Sequence, residues 1–152
     1  MKMHSILILN LLLVSGTAFG AATIPDCQSS GQILAVNNEQ VLNWEKTTRD
    51  QYHNRGHIQG TVQRIFPDKT GHHHLEVLIG SGSQDFVEVI YNEDFGSFPA
   101  SLKVGSQVEA CGDYITTRTS PDGAILHWVH KSDTPKHDSG YVVVDGTLCG
   151  WN

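Results

Sequence analysis

Three histidines run together at His72-His73-His74, directly after a turn, and two more frame a tryptophan in His127-Trp128-Val129-His130. A further one, His137, follows in the polar stretch Lys136-His137-Asp138-Ser139-Gly140. Neutral imidazole is a common ligand of transition metals, and three imidazoles with one open position make a catalytic zinc-type site. His74, His130 and His137 are therefore the candidate ligands of a divalent transition metal, the one cofactor this residue set implies. His74, Asp94 and His127 are the candidate catalytic groups, as acid, base or holder of an activated water. No HExxH or CxxC spacing accompanies them, so the metal reading rests on residue type and order. Asn92-Glu93-Asp94 can complete a mixed histidine–carboxylate site or simply cap the segment that follows. Trp128 can stack on a base or sugar or plug the core, and the plug is the favoured reading. Gly80-Ser81-Gly82-Ser83 lacks the helix and lysine of a phosphate-cradling loop. No nucleophile elbow is present.

Strands must position these groups. Alternation sends His72, His74 and Glu76 to one side of a strand over 72–79, and His73 with Leu75, Val77 and Ile79 to the other. Along a regular strand His127 and His130 face opposite ways, and they converge only if the strand ends or bulges near Val129. His53 and His57 stand four apart but straddle Arg55-Gly56. Ahead of this, Val41, Leu42, Trp44, Thr48 and Tyr52 recur near the helical period, giving one amphipathic helix over 39–53 capped by Asn37 or Asn38. Period-two stretches follow at 57–65, 72–79, 86–91, 107–116 and 124–130, with Gly- and Pro-rich turns between them. Five short strands with a longer connection between the third and fourth predict a mainly β domain. Its expected form is a small five-stranded OB-like barrel over 57–131, with a β-sandwich as competitor. Residues 21–38 read as a lead-in segment and 132–152 as a tail carrying the run Tyr141-Val142-Val143-Val144.

Part of the length is not fold. Lys2, the apolar run Ile6–Val14 and the small residues up to Ala22 have the layout of a secretory signal peptide, 1–20, with cleavage between 20 and 23. The apolar run is far too short to span a bilayer. The expected product is soluble and exported, periplasmic or extracellular. Cleavage leaves 132 of the 152 residues and removes one lysine, so nine bases face sixteen acids and the net charge moves from −6 to −7. That charge disfavours nucleic acid as a partner unless a metal assists. Cys27, Cys111 and Cys149 all remain, and an oxidising compartment allows one bridge and one leftover thiol. Cys111–Cys149 is the first choice and Cys27–Cys111 the alternative.

A family resemblance rests on ordered phrases: Gly60-Thr-Val-Gln-Arg-Ile-Phe-Pro-Asp68, Gly71 and His74, Tyr91-Asn92-Glu93-Asp94, and Leu102-x-x-Gly105-x-x-Val108. It continues through Gly112-x-Tyr114, Gly123-Ala-Ile-Leu-His127-Trp128-Val-His130 and His137-x-x-Gly140-Tyr141. Over residues 57–145 the chain resembles domain-of-unknown-function family 3465, small and mostly exported bacterial proteins. Tyr91, Leu75 and Lys69 stand where that pattern has His, Gln and Asp. The resemblance implies a compact OB-type barrel and no established activity. It singles out His74, Asn92, Asp94, His127, Trp128, His130 and His137, and passes over His53, His72 and His73. Asn92, Trp128 and Tyr141 are the candidate ligand-binding residues. Three readings follow: an exported binding module for a small molecule, saccharide or protein; a metal-dependent hydrolase of phosphodiesterase or nuclease type; or a purely structural envelope protein.

Overall fold

The computed structural model describes residues 23–151, so the expected signal peptide lies outside the described residues. The element order is β1 (Gln28–Ser29), β2 (Gln32–Ile33), α1 (Asn38–Thr47), β3 (His53–Lys69), β4 (His72–Leu78), β5 (Phe86–Asn92), a single 3-10 turn (Glu93–Phe95), β6 (Gln107–Thr116), β7 (Ala124–His127), β8 (Tyr141–Val144) and β9 (Thr147–Cys149). The domain is mainly β, as the period-two stretches require. Five strands close into a ring in the order β3-β4-β5-β7-β6, with β6 pairing back onto β3. All contacts around it are antiparallel except β5–β7, which is parallel.

One long strand makes the closure possible. The first half of β3, His53 to Thr61, pairs with β6, and the second half, Thr61 to Lys69, pairs with β4. The crossover passes Gly60, where a Cβ would collide with the carbonyl oxygen of Leu78. The inner face of the ring carries Val62, Leu75, Val77, Val87, Val89, Tyr114 and Leu126, all fully buried. Their apolar area removed from water is the main stabilising term of the fold.

The helix stops at Thr47, six residues before its expected end. Beyond Thr48 the backbone turns, Gln51 adopting a φ of +62°, and His53 already pairs with Ile115. Tyr52, an apparent helical position, packs on the core from outside the helix. Gly56 is no helix stop but a packing point inside β3, where a Cβ would sit 2.7 Å from Leu126 Cδ1 and 3.6 Å from Val41. Asn37 and Asn38 were the expected caps. Asn37 occupies the N-cap without a side-chain cap bond and instead accepts from the His57 amide (2.8 Å). Asn38 accepts from the Gln59 amide and donates to Gln59 and Ile79 carbonyls, so both side chains tether α1 to the sheet.

The outer segments are better built than a lead-in and a tail. β1 and β2 form a hairpin, and β8 pairs with β6 and then with β9. The disulfide joins Cys27 to Cys111, 84 residues apart, which corrects the first choice of Cys111–Cys149; Cys149 is a buried free thiol. Pairing follows from packing: Cys27, Cys111, Tyr141 and Val143 make a small cluster outside the ring, whereas Cys149 belongs to the main core. A bridge of this kind, and the lack of any helix among the described residues long and apolar enough to cross a membrane, are compatible with export.

Candidate functional site

The outer face of β4, β5 and β7 gathers most of the chemistry-bearing side chains. Register fixes one row across it: Phe66 opposite His74, His74 opposite Ile90, and, beyond β7, His127 opposite Asp113. The parallel register Glu88–Ile125 and Val89–Leu126 brings Ile90 level with His127. His74 and His127 therefore flank Ile90 from two sides.

On the His74 side lies a cavity of about 350 Å³. Its walls are Phe66, Pro67, Ile90, Pro121 and Ile125, and Lys69 stands at its edge. The floor is polar. Glu88, nine-tenths buried, accepts from His74 Nδ1 on one oxygen (2.6 Å) and from the Ser120 hydroxyl on the other (2.5 Å). Ser120 also accepts from the Asp122 amide (3.2 Å), which holds the loop between β6 and β7 against the floor. Asp122 is pushed up to about 6 by burial, by Glu76 and Glu88 nearby and by a hydrogen bond with Glu76, against the opposing field of Arg64. Neither Glu88 nor Ser120 was expected from the sequence. The available signal was a lone carboxylate among apolar residues in Phe86–Tyr91, sharing its face with Ile90.

On the other side β7 ends at His127, and Trp128 takes a φ of +53°, a left-handed conformation that is an outlier for a bulky side chain. This is the break the histidine pair needed. Val129, not Trp128, enters the core, and the Trp128 ring stays half-buried on the outside, stacked on His137 (4.3 Å between centroids, 8° between planes) and 5.2 Å from His130. His137 gives its Nδ1 proton to Asp113 (3.1 Å), and Asp113 also holds the buried Arg55 (2.7 Å). His130 is buried, its ring lying on Phe95 and its Nδ1 donating to the Lys131 carbonyl (2.8 Å). Burial first, then the neighbouring imidazoles of His72, His130 and His74, hold His127 below the ordinary histidine range, with Asp113 opposing. His127 is thus a neutral ring at the centre of the face.

Several candidates fall elsewhere. Among the described residues, the trio of ligating side chains whose atoms lie within 4.8 Å of one another is Asp68, His73 and Glu93, not His74, His130 and His137. In that trio His73 Nδ1 lies 2.7 Å from Asp68 and its Nε2 3.3 Å from Glu93, and both carboxylates sit on the exposed rim of the sheet. His74, His130 and His137 are not brought together: the Trp128 ring lies against both His130 and His137, and the Nδ1 atoms of the three point to different acceptors, Glu88, the Lys131 carbonyl and Asp113. Asn92 caps the 3-10 turn by accepting from the Asp94 amide (2.9 Å), and Asp94 is exposed there. Tyr141 is closed to ligand: it is 1% exposed and its hydroxyl bonds Glu109 (2.7 Å) and His57 (3.1 Å). His57 is a structural histidine, its Nδ1 donating to the Leu34 carbonyl (2.7 Å). His72, passed over by the family pattern, stands with its ring 6.2 Å from that of His127. The signal for it was the His72-x-His74 spacing, which puts two imidazoles on one face of a strand.

No curated protein matches the chain. A family model described as a protein of unknown function (DUF3465) matches residues 27–149.

Proposed function

The chain belongs to the DUF3465 family, and from that premise we propose that it is an exported binding module of OB type that takes a small organic ligand on the outer face of β4 and β5. The OB reading is supported by the ring order: numbered within the ring, its strands run first, second, third, fifth, fourth and back to first. In such barrels the face of strands two and three, between the loop joining strands one and two and the loop joining four and five, is where ligands dock. The helix departs from the commonest arrangement, since it precedes the ring instead of linking its third and fourth strands.

The observation that carries the proposal is the cavity itself. It lies on that face, and its lining draws on both loop regions, Phe66–Lys69 and Thr119–Pro121. Its volume is that of a small-ligand site, and mostly apolar walls with a few fixed polar groups are the usual composition of one. Glu88, desolvated and already bonded to His74 and Ser120, presents a preorganised polar floor. A ligand with an apolar body and one or two hydroxyl or amino groups, such as a saccharide unit, matches it; an extended polyanion does not match a chain of net charge −6.

The test is a titration of the isotopically labelled chain with a panel of monosaccharides, disaccharides and small aromatic alcohols, read by amide chemical shifts. Shifts are expected at Lys69, Ile90, Thr119 and Ser120, and Ile125→Arg, which fills the cavity, should abolish them. Shifts that cluster elsewhere, or that persist in Ile125→Arg, refute the pocket. Metal-dependent turnover of a chromogenic phosphodiester, lost in His74→Ala and His127→Ala, would favour the hydrolase instead.

A further inference from the structure

We propose that His72, His74 and His127 form a site for one divalent transition-metal ion of the zinc class, on the outer face of the ring beside the cavity. The first support is placement. His72 and His74 alternate onto the same face of β4, and His127 reaches that face from the end of β7, with β5 between. The three imidazoles thus surround the outer side of Ile90, and those of His72 and His127 already lean together to a centroid separation of 6.2 Å. Two histidines in i, i+2 spacing on one strand with a third from a nearby strand is a compact way to offer three imidazoles from a rigid sheet.

The second support is the state of the ring nitrogens. His72 donates Nδ1–H to the Thr70 carbonyl (3.1 Å) and His74 donates Nδ1–H to Glu88 (2.6 Å), so in each the Nε2 lone pair remains unspent. An imidazole whose second nitrogen is fixed by a carbonyl or carboxylate is the usual arrangement of a metal ligand, because the acceptor fixes the tautomer and raises ligand basicity. No hydrogen bond engages either nitrogen of His127 among the described residues, although the ring is half-buried. An imidazole with neither nitrogen committed to another group of the protein leaves its lone pair open to a cation.

Charge is the third. Glu88 stands behind His74, and Asp113 pairs across from His127. Lys69, the cross-strand neighbour of His72, is exposed and free to turn into solvent. The three nitrogens do not yet lie within 4.8 Å of one another, so binding closes the set by rotation of side chains over a fixed sheet. Three protein ligands leave a fourth position for water or a ligand atom, next to a cavity that His74 and Ile90 also line. The ion site is separable from the ligand pocket, since it needs no organic molecule to fill.

The experiment titrates the untagged full chain with Zn²⁺ by calorimetry and with Co²⁺ by visible absorption. One tight equivalent is expected, with the visible bands of Co²⁺ bound in low, nitrogen-rich coordination. His72→Ala and His127→Ala should each weaken binding by at least about tenfold, and Glu88→Gln, which unfixes His74, by about tenfold as well. His73→Ala and His137→Ala should bind as the parent does. Each variant is first checked for an unchanged metal-free melting temperature, and if His127→Ala melts early, His127→Gln takes its place. Failure to bind one equivalent, parent-like affinity in His72→Ala, or an equal loss in His73→Ala would overturn the site. Ile125→Arg, which blocks the cavity, should leave Zn²⁺ binding intact, so loss of the pocket reading and loss of the metal site remain distinguishable.

Discussion

Glu45, on α1, is pushed up to about 7 by burial, with Lys46 opposing and Asp85 and Asp122 reinforcing the shift. One of its oxygens is buried without a hydrogen-bond partner. Its ordinary value is 4.5, so between about pH 4.5 and 7 the folded chain keeps a proton that the unfolded chain has released. This group therefore lowers stability as pH rises through that window. Asp122 acts with the same sign from its ordinary 3.8 up to about 6. Glu45→Gln should flatten the fall of melting temperature between pH 4.5 and 7 and raise it at pH 7, measured by circular dichroism across buffers. An unchanged slope would mean that the carboxyl is not strained by burial. At this scale the sequence marks which residue types are present but not their partners. His57 and His74 are the same residue on the same kind of strand, yet one is enclosed by a backbone carbonyl, a tyrosine hydroxyl and Glu109, and the other has, among the described residues, the single partner Glu88 and keeps its Nε2 unengaged.

Elements were legible where their period was long and clean. The strands at 72–78, 86–92 and 107–116 fall where alternation put them, because each buries one face and a register slip would turn every apolar side chain outward. The helix was overextended because Tyr52 fits a helical period while answering to a different contact, the Trp44 ring 5.9 Å away. The histidine segment depends on a close approach of backbones that no period reveals. Gly140 packs where a Cβ would strike the carbonyl oxygens of Trp128 and Cys111, while its amide donates to the His130 carbonyl (2.8 Å). Gly140→Ala should therefore destabilise the fold by about 1–3 kcal/mol in urea unfolding and displace Trp128 from His137, visible as a change in tryptophan emission. A neutral result would show that the segment can shift without loss.

For the whole molecule, one bridge and one buried arginine fasten the outer segments to the ring. Cys27–Cys111 closes a loop of 84 residues. Arg55 donates to the Gln28 and Ser139 carbonyls and pairs with Asp113, linking the N-terminal hairpin, the C-terminal loop and β6. A loop of that length places the entropic worth of the bridge at the upper end of about 2–5 kcal/mol. Reduction with dithiothreitol, or Cys27→Ser, should lower the melting temperature by about 10 °C. Cys149→Ser should not reproduce that loss of cross-linking, and the native Cys149 thiol should resist labelling until the chain unfolds. A melting temperature insensitive to reductant would contradict the bridge's role.

The mainly β class, the three central strands and the residues worth watching were determined by the chain itself, because alternation and turn chemistry are local and leave a periodic trace. Closure of the ring, the choice of Cys27 over Cys149, the pairing of Glu88 with His74 and Ser120, and the approach of His72 to His127 were decided by tertiary structure. Each depends on which strand lies beside which. That is a property of register across 14 to 84 residues of separation, and no local pattern encodes it.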